Sequence, residues 1–132
     1  MRIFVVEDEE EIRMVVGLFL KAIPDTEVRI LSGGEEAVAF IEANGVPDLL
    51  ITDYDLEKGW KASRVVVQLC EKQVYPQNIL LMSGRADEDV MDMVKNLKIE
   101  FLQKPFEYAV FLAKVREMLA RGTTTASDES AS

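Results

Sequence analysis

Five short apolar runs, Ile3–Val6, Val28–Leu31, Leu49–Thr52, Ile79–Met82 and Phe101–Gln103, alternate along the chain with segments of helical period. This alternation constrains the fold more than any other feature, because strands separated by helices are joined by crossovers and therefore run parallel. The helical stripes fall between the runs: Ile12, Val16, Phe19 and Ile23; Ala37 and Ile41; Ala62, Val66 and Leu69; Val90, Val94 and Leu97; Ala109, Leu112, Val115 and Leu119. Each supplies one apolar face to cover a sheet. Ser32 and Glu35 have the spacing of a capping box before the second helix, Asn44-Gly45 and Pro47 close it, and Pro24, Pro76 and Pro105 lie between elements. The expected class is α/β, a doubly wound five-stranded parallel sheet flanked by five helices. Its ligand crevice lies beyond the carboxyl ends of the strands.

At 132 residues, 48% hydrophobic and 30% charged, the chain suits one domain with a real core. After Arg121 the sequence becomes GTTTASDESAS, without a large apolar residue, so a domain over 1–121 and a flexible polar tail over 122–132 are expected. No apolar run approaches the length of a bilayer span, and RIFVV followed at once by acids is unlike a signal peptide. A cytoplasmic location and no membrane role are expected. A net charge of −9 argues against binding of nucleic acid by this domain alone. The lone Cys70 excludes an internal disulfide and a cysteine zinc site, and its apolar setting reads as a buried small hydrophobe. There is no histidine, which excludes histidine metal sites, a Ser-His-Asp triad and phosphohistidine carried on this chain. Chemistry is left to carboxylates, hydroxyls and lysines.

Such groups stand at the strand ends. Glu7 and Asp8 follow the first run, Asp53 ends the third, Ser83 follows the fourth and Lys104 follows the fifth. A parallel sheet brings them all to one rim. Carboxylates held together repel unless a cation sits among them, and hard oxygen donors with room for water suit Mg²⁺. A metal ion, an ammonium and a hydroxyl around one carboxylate are what phosphoryl transfer needs, since its catalysis is positioning plus charge neutralisation. Asp53, at the end of a buried strand, is then the nucleophile. Taken singly, the same residues have plainer readings. Glu9 to Glu11 read best as an acidic first helical turn, Lys104 as a solvated loop lysine, and Ser83-Gly84 as a turn or cap.

Through FVVEDEEE, LLITDYD, ILLMSG and FLQKPF, in that order, the chain resembles the receiver domains of bacterial two-component response regulators over residues 2 to about 120. The resemblance implies a flavodoxin-like sheet of order 2-1-3-4-5, and Mg²⁺ held by Asp8, Asp53 and the carbonyl of Asp55, with Glu7 acting through water. It implies a phosphoryl group on Asp53, hydrogen-bonded by Ser83 and paired with Lys104, ahead of a cis Lys-Pro bond. Asp55 and Arg85 would tune the lifetime of that group, and Ser83 with Phe101 would form the switch. The implied partners are a histidine kinase or histidine phosphotransfer protein as donor, and a downstream protein or a second copy meeting the 86–112 face. Glu7 stands where an aspartate is frequent, Phe101 where a tyrosine is common, and the stretch Tyr54–Trp60 lacks the usual proline and looks shorter. Trp60 in it reads as a core plug more readily than as a docking residue. Two alternatives are kept: a receiver-like binding module that is not phosphorylated, and a small haloacid-dehalogenase-like phosphatase, whose first motif Asp53-Tyr54-Asp55 resembles.

Overall fold

A computed structural model describes the backbone of residues 1–131 apart from 57, 58 and 73, with side chains as far as Arg121. Strands β1 (Arg2–Val6), β2 (Glu27–Leu31), β3 (Leu49–Asp53), β4 (Ile79–Ser83) and β5 (Glu100–Gln103) form one parallel sheet in the order β2-β1-β3-β4-β5. Helices α1 (Glu10–Leu20), α2 (Gly34–Asn44), α3 (Ala62–Glu71), α4 (Glu88–Leu97) and α5 (Tyr108–Ala131) make the crossovers, and a 3-10 turn, Pro76–Asn78, leads into β4. The α/β class and the strand order expected from the sequence are those observed.

The pleat sorts alternate strand residues onto opposite faces. Phe4, Val6, Leu50, Ile79 and Leu81 pack with Ala37, Ile41, Val65, Val66, Leu69 and Val90 under α2, α3 and α4. Ile3, Val5, Leu49, Ile51, Leu80 and Met82 pack with Val16, Leu20, Phe111, Val115 and Met118 under α1 and α5. A strand covered on both faces reads as an unbroken apolar run, which is why β1, β3 and β4 are so plain in the sequence. The sheet edge at β2 is less covered, and Glu27 and Arg29 are exposed there. The order in which strands are added reverses about β1, whose neighbours are β2 on one side and β3 on the other. The crevice at that reversal opens between the carboxyl ends of β1 and β3.

Several local expectations change. The helix after Ser32 begins at Gly34 with Gly33 as N-cap and no side-chain cap, and it is Glu36, not Glu35, that reaches back to Ser32, accepting from its hydroxyl at 2.7 Å and its N–H at 3.2 Å. The start is displaced by one residue, so the spacing of the box is displaced too. Ile23 lies beyond α1 and is buried by a turn in which its N–H bonds to the Leu20 carbonyl. Ala109 is exposed, and Phe111 and Met118 complete the buried stripe of α5. Cys70 is half-buried at the margin of the core. Trp60 is half-buried as well, neither a plug nor a free docking group, with the Arg64 guanidinium 4.0 Å from its ring centre. Residues 57 and 58 of the stretch Tyr54–Trp60 lie outside the described residues. The flexible polar tail expected over 122–132 falls where no side chains are described, the backbone of α5 being given to Ala131.

The approach of α2 to α3 depends on one missing side chain. A Cβ built on Gly34 would lie 2.2 Å from Val65 Cγ2, and Val65 is a β-branched, fully buried residue with little rotamer freedom. Gly34→Ala should therefore destabilise the fold by about 1–3 kcal/mol, since overpacking outweighs the gain of at most ~1 kcal/mol in helix propensity. Urea unfolding checks this, and adding Val65→Ala should return part of the loss.

Candidate functional site

The end of β1 puts Glu7 beside Asp53, the last residue of β3, and the next strand ends bring up Ser83 and Lys104. Strands β3 and β4 are buried along their whole length, so Asp53 and Ser83 are held by a rigid frame rather than by a loop. The Lys104 ammonium lies 3.1 Å from Asp53 Oδ1 and 3.2 Å from Glu7 Oε2. Its loop is tied to β4 by the Lys104 N–H, which donates to the Ser83 carbonyl at 2.8 Å, and the Lys104-Pro105 bond is cis. Glu7 Oε1 accepts from the Glu9 N–H at 3.2 Å, and Arg13 Nη1 donates to the Glu7 carbonyl at 3.0 Å.

One oxygen from each of Glu7, Asp8 and Asp53 lies within 4.8 Å of the others. Asp53 Oδ2 is buried and has no hydrogen-bond partner among the described residues, while Oδ1 takes both Lys104 and the Asp55 N–H. A buried oxygen in this position, within a set of hard donors carrying more negative than positive charge, fits a divalent cation such as Mg²⁺. The Asp53 carboxylate is enclosed, its side chain 1% accessible with Lys104 bonded against it.

On the α4 side, Ser83 is fully buried, and its hydroxyl donates to Asp55 Oδ2 at 3.1 Å while accepting the Arg85 N–H at 3.0 Å. Arg85 Nε lies 3.5 Å from Asp55 Oδ1, its Nη1 lies 3.1 Å from Asp87 Oδ2, and its guanidinium sits 5.1 Å from the Tyr54 ring centre. Asp87 caps α4, its Oδ1 accepting from the Val90 N–H. Phe101 is half-buried and packs on the α2–α4 face of the core, next to Leu81 in register. Thus Glu7, Asp8, Asp53 and Lys104 are brought together, Asp55 and Arg85 meet over Ser83, and Phe101 stands apart on the neighbouring strand. Sequence reasoning misses Tyr54, Asp87 and Arg13 as supports. Of these only Asp87 carries a local signal, an aspartate three residues before Val90 at a helix start.

A family model for the response regulator receiver domain matches residues 3–116. The transcriptional regulatory protein LiaR of Bacillus subtilis is 29% identical over 117 residues, covering 87% of this chain and 54% of that protein, so the chain spans about half of this curated relative. Among solved structures, the receiver domain from the hybrid histidine kinase CckA is 28% identical with a TM-score of 0.72, covering 90% of this chain and 99% of that one. The N-terminal domain of a response regulator/sensory box/GGDEF three-domain protein from Carboxydothermus hydrogenoformans has a TM-score of 0.83 at 18% identity, covering 96% and 99%. That second likeness is one of fold.

The excess of carboxylate charge has a consequence for stability. Burial, and after it the Asp53 charge, pushes the Glu7 carboxyl from its usual 4.5 up to about 7, against the opposing pull of Lys104 and the Glu9 N–H. Between these values the folded protein keeps a proton that the unfolded chain has released. Raising the pH through this window therefore destabilises the metal-free fold; the penalty is absent below 4.5 and complete above about 7. The slope should reach at most about 1.4 kcal/mol per pH unit. Urea unfolding of the metal-free protein should show this fall, and Glu7→Gln should remove it.

Proposed function

The chain belongs to the response regulator receiver domain family, and on that premise we propose that residues 1–121 form a phosphorelay receiver whose acceptor is Asp53. Membership speaks against the phosphatase alternative. The observation that carries the proposal is a buried carboxylate at a strand end, with an ammonium 3.1 Å from one oxygen and no hydrogen bond on the other among the described residues.

In this reading an Asp53 oxygen bonds to the phosphorus of a phosphohistidine as the nitrogen–phosphorus bond breaks. An acyl phosphate remains on Asp53 and the imidazole stays with the donor, a histidine kinase or histidine phosphotransfer protein. Lys104 moves from pairing with the carboxylate to pairing with a phosphoryl oxygen, and Ser83 donates its hydroxyl to another. Glu7, Asp8, Asp53 and the Asp55 carbonyl would hold Mg²⁺, which when bound supplies neutralising charge for the carboxylates and the phosphoryl oxygens. Glu7 contributes the smaller part, since its oxygens already serve Lys104 and the Glu9 N–H. The domain is regulatory: the chemistry it promotes is transfer to, and hydrolysis from, its own Asp53.

Bonding of Ser83 to the phosphoryl group draws the 84–87 loop inward and leaves room for Phe101 to turn inward. The signal then leaves through residues 86–112 to a downstream protein or a second copy. A cytoplasmic setting suits this role, and among the described residues no helix is long and apolar enough to cross a membrane. The net charge of −9 makes nucleic acid an unsuitable partner for this domain by itself.

Acetyl phosphate should label the protein only with Mg²⁺ present, and Asp53→Asn should abolish the label. Label at the wild-type rate in that variant would remove Asp53 as acceptor, and no label on the wild-type protein would favour the unphosphorylated binding module. In a calorimetric Mg²⁺ titration, Asp8→Ala should weaken binding more than Glu7→Gln does, because a direct carboxylate ligand contributes more than one acting through water.

A further inference from the structure

A serine hydroxyl has one proton to donate. In this structure the proton of Ser83 goes to Asp55 Oδ2, at 3.1 Å, and the hydroxyl oxygen is taken by the Arg85 N–H. Ser83 is fully buried, so bulk water does not compete for that proton. The Asp55 carboxylate thus occupies the one donor that a phosphoryl group on Asp53 would need.

We propose that Asp55, Ser83 and Arg85 form a latch that holds the site in its unphosphorylated arrangement, with the Asp55 carboxylate competing directly with the phosphoryl group for the Ser83 hydroxyl. The proposal rests on the phosphoacceptor reading of Asp53. Asp55 acts through Ser83 and is a positioning residue, not a catalytic one. Arg85 keeps its carboxylate in place through the 3.5 Å pair with Oδ1, and is itself held by Asp87 at 3.1 Å and by the Tyr54 ring.

The latch reaches the start of α4 by the same contacts. One oxygen of Asp87 pairs with Arg85 and the other caps α4 at the Val90 N–H. When Ser83 turns to the phosphoryl group, Asp55 loses a partner, the anchor for Arg85 weakens, and the Asp87 cap is left without its orienting cation. Competition at the hydroxyl is thereby passed to the helix that opens the 86–112 face. The Asp55, Arg85 and Asp87 side chains are each about half exposed, so their ion pairs are weak and can be exchanged without a large barrier.

The test is a titration with beryllofluoride, a phosphoryl mimic, at saturating Mg²⁺, followed by amide NMR. Asp55→Ala should lower the half-saturating concentration about three- to tenfold, the worth of one charged hydrogen bond discounted for exposure. Asp55→Asn, which keeps an acceptor for Ser83, should recover part of the wild-type value. In a Ser83→Ala background the Asp55→Ala effect should vanish. Before any mimic is added, Asp55→Ala and Arg85→Ala should both move the amide shifts of residues 85–90 towards their mimic-bound positions. An unchanged or raised half-saturating concentration in Asp55→Ala overturns the latch. So does an equal effect in the Ser83→Ala background, since removal of a negative charge would then explain it alone. A wild-type protein that binds no beryllofluoride defeats the phosphoacceptor reading itself, a result distinct from a latch failure in which the wild type binds normally.

Discussion

Two buried carboxylates share one ammonium at the carboxyl end of this sheet. Glu7 and Asp53 both lie within 3.2 Å of Lys104, and both are shielded from solvent. Buried ions lose hydration that one counter-ion cannot return to two of them. The imbalance shows in the titration of the partners. Burial by itself would lower the Lys104 pKa, yet the Asp53 and Glu7 charges raise it, while the Glu7 carboxyl is pushed up to about 7. Such a cluster persists only where the backbone beneath cannot relax. Here Asp53 ends a strand covered on both faces, and its neighbours on either side are also buried strands.

The two sides of the site are secured by different means. Lys104 hangs from a loop that β4 holds by a backbone hydrogen bond, and Phe106, two residues on, stacks on Phe111 at 5.1 Å and meets the Phe19 edge at 6.4 Å. That side is fastened into the α1–α5 core. The Asp55, Arg85 and Asp87 side is fastened by half-exposed polar contacts, each worth about 1 kcal/mol or less. Parts that open at low cost are those with few buried apolar contacts. The asymmetry points any rearrangement at this rim towards α4 and leaves α1 and α5 as the fixed reference.

Much of this is legible in the sequence, for physical reasons that also mark the limit. Strands buried on both faces leave continuous apolar runs, and parallel order sends their ends to one rim, so Glu7, Asp8, Asp53, Ser83 and Lys104 can be placed together before any coordinates are known. What lies between those residues is not periodic and cannot be read in the same way. The bond from Ser83 to Asp55 spans 28 positions and depends on loop conformation. The closure of Lys104 over Asp53 likewise follows from side-chain geometry, which no sequence period records. Cys70 sits one step, or about 100°, from Leu69 around α3, enough to take it from the core to the margin. The stretch after Arg121 carries no large apolar residue, so its sequence offers no periodic stripe from which a helix could be read.

On the proposed reading, the charge cluster and the latch set the balance between the two states. A ligand can shift an equilibrium only by its differential affinity for the two forms. A phosphoryl group brings acceptor oxygens and added negative charge to the Lys104 side of Ser83, whereas Asp55 offers a half-exposed carboxylate already shared with Arg85. The hydroxyl exchanges one anionic acceptor for another, so neither state leaves a buried donor unsatisfied and the gap between them stays small. Phe101, with no hydroxyl, adds no polar anchor to either form, and its position is left to packing against the α2–α4 face. The strength of the Asp55 acceptor then becomes the term that fixes how much of the switched form exists before phosphorylation. A firmer grip from Arg85 holds the Asp55 carboxylate against the Ser83 hydroxyl and moves the resting balance towards the unswitched side.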